Sequence, residues 1–185
     1  GDPDAAKYVS GIGLHWYAAV EDSLPSSLYF GRMAQTHEKH PDVFMLATEA
    51  CEGFLPWSQG VQLGSWARAE TYAHDICGDL LNWAVGWVDW NAFLDVKGGP
   101  NWAKNVVDAP IILDTARGDR FFKNPMFYAL QHFSAFVPPG SVRIHVESTS
   151  SSPLQAPMEC VGFRRPDGAL AIVVLNRGAQ LSATT

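Results

Sequence analysis

The chain has 185 residues, a net charge of −6, 47% hydrophobic residues and no stripe of clustered Lys and Arg. Phosphate backbones call for such a stripe, so nucleic acid is not an expected partner, and no apolar run approaches the ~20 residues of a membrane-spanning helix. The length suits one ordinary domain but falls short of the ~250 residues of a complete (β/α)8 barrel.

In chain order, Gly1-Asp2-Pro3-Asp4 lacks an initiator Met or a basic leader and reads as an internal start. Asp2 and Pro3 start a helix that ends near Tyr8, with Gly11 stopping it before the strand Ile12-Gly13-Leu14 and its continuation His15-Trp16-Tyr17. Ser26 to His40 has helical periodicity, with Leu28, Met33 and His37 on one side, and ends at Pro41. The apolar run from Val43 ends in Glu49, then Ala50 and Cys51. After a loop from Cys51 to Ser58, Val61 to Trp83 is a long helix with an apolar stripe of Leu63, Trp66, Ala73, Ile76, Cys77 and Leu80. Trp66 and Trp83 are expected in the core. A third strand, Ala84 to Val88, leads into Asp89-Trp90-Asn91.

Asn91 to Pro110 reads as a long loop, either functional or a structural Ω-loop pinned by Pro100 and Trp102. Ile111 to Asp114 is extended, Gly118-Asp119 is a turn, and Asn124 to Phe136 is a helix capped by Asn124 with Pro125 at its first position. After Pro138-Pro139-Gly140 the period changes to two. Val142, Ile144 and Val146 alternate with polar residues, and a hairpin runs from Val161 to Asn176 around Pro166-Asp167-Gly168. A Ser-rich linker, residues 148–153, joins the two pieces. The expected architecture is therefore α/β over residues 1–138, the C-terminal portion of a (β/α)8 barrel, followed over 139–185 by part of an all-β sandwich.

Three apolar strands ending in polar and aromatic residues place chemistry at one end of the barrel, because barrel active sites form at the C-terminal ends of the strands. A carboxylate at the end of a buried strand carries a desolvation cost that calls for a reason, and Glu49 is the candidate nucleophile of a retaining glycosidase. Trp16, Trp90 and Trp102, beside His15, Asp89 and Asn101, suit a pyranose, which offers a C–H face to an indole and hydroxyls to flanking polar groups. Cys51, Cys77 and Cys160 lack CxxC spacing and read as free thiols. His37-Glu38-Lys39-His40 is one residue short of HExxH and reads as a solvated helix end, so neither metal nor cofactor is expected.

His15-Trp16-Tyr17, Thr48-Glu49-Ala50-Cys51-Glu52-Gly53, Leu63-Gly64-Ser65-Trp66, Gly86-Trp87-Val88-Asp89-Trp90-Asn91, Gly98-Gly99-Pro100-Asn101-Trp102 and Pro125-Met126-Phe127-Tyr128 together resemble the glucosylceramidases of glycoside hydrolase family 30. The likeness runs in order from Asp2 to about Arg177. It implies the last three strand-helix units of a (β/α)8 barrel and the first strands of a β-sandwich. It also implies Glu49 as nucleophile, Tyr17 as a hydroxyl beside the catalytic carboxylates, Trp90 in the sugar pocket, and Asn105 at its mouth with Val106 and Val107 adjoining. His15 and Trp16 join the substrate-binding set. The implied acid/base glutamate sits on an earlier strand in an Asn-Glu-Pro context, a tripeptide this chain lacks, so the N-terminal barrel half is an expected partner in cis. Phe54 departs from the polar residue expected after the Glu-Ala-Cys-x-Gly motif, and Asp79 departs from a helix asparagine. A glucosyl lipid substrate, a lipid-presenting activator protein and a lysosomal or secretory setting are further implications. A non-catalytic carbohydrate-binding or scaffold chain is the competing reading, favoured by the missing proton donor.

Overall fold

The computed structural model describes residues 2–17, 26–149 and 158–177. Asp2 caps the short helix α1 (Pro3–Ala6), its Oδ1 accepting from the N–H groups of Asp4 and Ala5 at 2.9 and 3.4 Å. Three parallel strands follow in spatial order, β1 (Gly11–His15), β2 (Phe44–Glu49) and β3 (Ala84–Trp87). Parallel neighbours need a crossover, which α2 (Ser26–Lys39) supplies between β1 and β2 and α3 (Trp66–Leu81) between β2 and β3. Ile12, Leu14, Met45 and Ala84 turn one sheet face onto Phe30 and Met33 of α2. Gly78 lets α3 approach α2 closely: a Cβ there would lie 2.0 Å from the Phe30 ring.

The long helix starts at Trp66, not Val61, because Gly64 adopts φ +77° and Ser65 stands at the N-cap. Leu63 and Trp66 consequently lie outside the buried stripe, and Trp66 is 66% exposed. Trp83, at the turn into β3, is 46% exposed with φ +76°. It is sandwiched between the His37 ring, stacked at 3.8 Å, and the Arg143 guanidinium, 5.1 Å from its centroid. The expectation that both tryptophans are core therefore fails.

Residues 91–110 are not wholly loop, since β4 (Phe93–Asp95) pairs in parallel with β5 (Ile111–Asp114). A further strand, β6 (Arg120–Lys123), pairs antiparallel with β5 across the Gly118 turn. Its four residues are all exposed, so no alternation marked it, and the barrel portion is not purely parallel. Asn124 does precede α4 (Pro125–Ser134), but its side chain does not cap the helix. It donates to Asp108 Oδ1 and the Ala109 carbonyl at 2.8 and 3.1 Å, and accepts from the Gly64 N–H at 3.2 Å.

Beyond residue 140 the strands are antiparallel, in the order β7 (Val142–Ile144), β8 (Glu159–Arg164) and β9 (Leu170–Leu175). Asp167 closes the β8–β9 turn by accepting from the Ala169 N–H at 3.1 Å and from Arg165. This sheet packs on the barrel helices through Val161, Phe163 and Val173 against Ile76, Cys77 and Phe133. His74 of α3 reaches Glu159 of β8 at 2.6 Å, and Arg177 approaches the same carboxylate at 3.3 Å. Among the described residues no helix is long and apolar enough to cross a membrane.

Candidate active site

Glu49 reaches its position through an irregularity in the β1–β2 ladder. Leu14 pairs with Ala47 but His15 pairs with Glu49, so Thr48 is an extra residue on β2. In a regular strand Glu49 would share a face with Met45 and Ala47, which are buried toward the helix layer. The bulge instead brings its carboxylate to the side of Gly13 and His15, where Thr48 Oγ1 also lies, bonded to the Leu14 carbonyl at 3.1 Å. Glu49 Oε1 is 3.7 Å from His15 Nδ1, and its side chain is 23% exposed. The strand ends are stitched together past the ladder, with Trp16 N–H bonded to the Glu49 carbonyl at 3.3 Å and Trp90 N–H to the Ala50 carbonyl at 2.8 Å.

The Tyr17 hydroxyl shares a hydrogen bond of 3.3 Å with Cys51 Sγ. Burial raises its phenol far above the usual range, with Cys51 and the nearby Glu49 carboxylate adding to the effect. Burial likewise pushes the Cys51 thiol up to about 11, keeping it neutral. Phe54 stands edge-on to Tyr17 at 4.8 Å and tilted to Trp16 at 6.4 Å. The departure from a polar residue at position 54 therefore places an aromatic edge against the tyrosine.

Trp16 is buried and packs at right angles on Tyr72 of α3 at 5.5 Å, its Nε1 without a hydrogen-bond partner. Trp90 remains partly open to solvent. Asp89, between the end of β3 and Trp90, accepts from the Tyr72 hydroxyl at 3.2 Å, and burial pushes its carboxyl up to about 7. Asn105 and Val106 lie exposed on the loop before β5, and Asn105 is held to Asn101, whose Oδ1 accepts its N–H at 2.9 Å. Val107 is fully buried among Cys51, Leu94 and Ile112, while Trp102 is 93% exposed and pins nothing.

Sequence reading missed the polar knot that fixes the loops around these residues. Arg68 of α3 is buried, with its guanidinium bonded to Asp108 Oδ2 and to the carbonyls of Gly60 and Ser58, and its Nε 3.9 Å from Glu52. Asp108 further accepts from the Gln62 N–H at 3.1 Å and from Asn124. Burial raises the Glu52 carboxyl, and the Arg68 charge opposes that rise. Gly53 allows the tight passage, since at φ +81° its Cβ would sit 2.5 Å from the Gly60 carbonyl oxygen. An Arg and an Asp 40 residues apart carry no local pattern, so only the fold brings them together.

Cys51, Cys77 and Cys160 are free, and among the described residues no group of His, Cys, Asp and Glu could hold a metal ion. A cleft of about 890 Å³ between α3, β3, α4 and β7 is lined by none of the residues around Glu49. It follows the edge of β3 away from β2 and is not the candidate site.

Residues 1–137 match the glycosyl hydrolase family 30 TIM-barrel domain, and residues 140–185 match the glycosyl hydrolase family 30 beta sandwich domain. The chain is 46% identical over 179 residues to lysosomal acid glucosylceramidase of Mus musculus, which covers 97% of the chain and 33% of that protein. It is 45% identical over 181 residues to putative glucosylceramidase 4 of Caenorhabditis elegans, covering 98% of the chain and 33% of that protein. Among solved structures, SrfJ from Salmonella typhimurium superposes with a TM-score of 0.76 at 32% identity, over 95% of this chain and 36% of that one. The chain thus spans about a third of the length of the curated relatives it matches.

Proposed function

Because the chain belongs to glycosyl hydrolase family 30, we propose that the protein carrying it is a retaining β-glucosidase of the glucosylceramidase type, acting on a β-glucosyl lipid through a glucosyl ester at Glu49. The observation that carries this reading is the placement of Glu49. A bulge turns it off the helix-facing side of the central strand to stand beside His15, with the Tyr17 hydroxyl close by. A Glu49 carboxylate oxygen attacks the anomeric carbon and the bond to the leaving oxygen breaks. That oxygen takes its proton from an acid in the part of the barrel outside this chain. Water then cleaves the ester, releasing glucose and restoring the carboxylate.

In this reading Trp90 packs on the sugar, His15 and Trp16 line its pocket, and Asn105 and Val106 edge the mouth. The barrel portion ends near residue 138 and the sandwich portion follows it. The mouse relative's name supports a glucosylceramide-type substrate and a lysosomal or secretory setting. A lipid-presenting activator protein belongs to the same reading.

The test is Glu49→Gln in the whole protein. The amide keeps the shape but cannot attack, so kcat falls by at least about 10³-fold while glucose-site binding stays within a few-fold. Peptide mass spectrometry after incubation with a cyclitol epoxide should find the label on Glu49. Label on Glu52 or Asp89 would move the nucleophile elsewhere. A folded whole protein that binds glucosides yet neither turns over nor becomes labelled would favour the carbohydrate-binding reading.

A further inference from the structure

Tyr72 lies fully buried on α3, behind the strand ends, and the proposed reaction gives neither it nor Asp89 a part. Its ring is wedged between Trp16, at 5.5 Å and 89°, and Trp87, at 5.0 Å and 60°. Its hydroxyl donates to Asp89 Oδ1 at 3.2 Å. Asp89 directly precedes Trp90 in the chain, so a bond that fixes the Asp89 side chain also fixes the start of the segment that carries Trp90. Trp90 is anchored in turn by its N–H bond to the Ala50 carbonyl, one residue past Glu49. Asp89 Oδ2 meanwhile is buried without a hydrogen-bond partner. A leucine-sized apolar side chain would fill this place without an unpartnered oxygen, so the contribution of the carboxyl lies in the bond made to Tyr72.

We propose that Tyr72 and Asp89 form a brace that sets the pose of Trp90 beside Glu49, Tyr72 holding Asp89 from the helix layer and Asp89 thereby holding its chain neighbour Trp90. Both are positioning residues and neither touches the sugar. The proposal rests on the glycosidase reading, in which Trp90 packs on the glucosyl ring. A mispositioned indole weakens sugar binding in the ground state and the transition state alike, so the effect falls on KM and leaves kcat nearly unchanged.

The experiment measures aryl β-glucoside hydrolysis by the whole protein, with cyclitol epoxide labelling of Glu49 as a second readout. Tyr72→Phe, which removes one oxygen and keeps the ring, should raise KM by about tenfold with kcat within about threefold. Asp89→Leu should do the same, whereas Asp89→Asn, keeping an acceptor for Tyr72, should recover most of the loss. In a Trp90→Ala background Tyr72→Phe should have no further effect on KM, because the positioned group is gone. A KM unchanged by Tyr72→Phe, or raised equally with and without Trp90, overturns the brace while leaving the glycosidase reading in place. If Tyr72→Phe loses its cooperative melt, the contrast between Asp89→Leu and Asp89→Asn decides. A folded wild-type protein that is neither active nor labelled at Glu49 overturns the glycosidase reading, and the brace with it.

Discussion

Asp79 is the residue whose chemistry is most at odds with its surroundings. It is 1% exposed, and neither carboxyl oxygen has a hydrogen-bond partner. One turn away on α3, Asp75 accepts from Trp87 Nε1 at 2.7 Å. Burial pushes Asp79 up to about 8, with the Asp75 charge adding, and burial pushes Asp75 up to about 6 against the opposing effect of the Trp87 bond. Both folded-state values lie above the unfolded value near 3.8, so folding favours the protonated forms. Their stability contribution is therefore complete below pH ~4 and is lost as pH rises through about 6 and then 8. Asp79→Asn should leave stability at pH 4.5 little changed and raise it by a few kcal/mol, on the order of the linkage expected for such a shift, at pH 8. Chemical denaturation of the whole protein across that range checks this, and a difference that does not grow with pH would mean that Asp79 is solvated. The same direction holds for Asp89, whose carboxyl burial pushes up to about 7.

Among the elements, the loops that frame Glu49 depend on the Arg68 knot more than on their own turn chemistry. Arg68→Met should cost about 3–5 kcal/mol, because it leaves the Asp108 carboxylate buried without its cation. A loss under about 1 kcal/mol in denaturant titration would show that Gln62 and Asn124 suffice for Asp108. Gly53→Ala should also destabilise, by about 1–3 kcal/mol, since it adds a clash at 2.5 Å to a positive φ. Thermal melts of the two variants separate the effects, as the glycine change leaves every charge in place. Elements with a strong period were legible in the sequence: α2, the core of α3, α4 and the β8–β9 hairpin all fall where their patterns put them. The strand β6 was not, because four exposed residues have no buried face to write a pattern on.

At the scale of the molecule, the two outer edges of the three-stranded sheet β1–β2–β3 have no strand partner among the described residues, and large apolar residues of its strands such as Phe44 and Val85 are exposed. Unpaired parallel edges with apolar flanks invite association. Residues 1–185 expressed alone should therefore self-associate at micromolar concentration, and co-production with the rest of the barrel should suppress this. A monomer by light scattering with one cooperative melt would show that the chain is self-sufficient. The barrel and sandwich portions already share a core through Ile76, Phe133, Val161 and Phe163, reinforced by the His74–Glu159 contact, so they should melt together.

The sequence by itself determined the architecture, because strand and helix periods are local, and it singled out Glu49 as a candidate because that carboxylate ends an apolar strand. It also placed Tyr17 and Trp90 at neighbouring strand ends. What it could not determine was the direction in which Glu49 points. Strict alternation would have put it on the helix side with Met45 and Ala47, and only the pairing of His15 with Glu49 across the bulge turns it to the other face. The same holds for Asp108 with Arg68 and for Asp89 with Tyr72, pairs separated by 40 and 17 residues. Register, burial and long-range partners arise only when the strands are laid side by side, and those three decide what each side chain of the site can do.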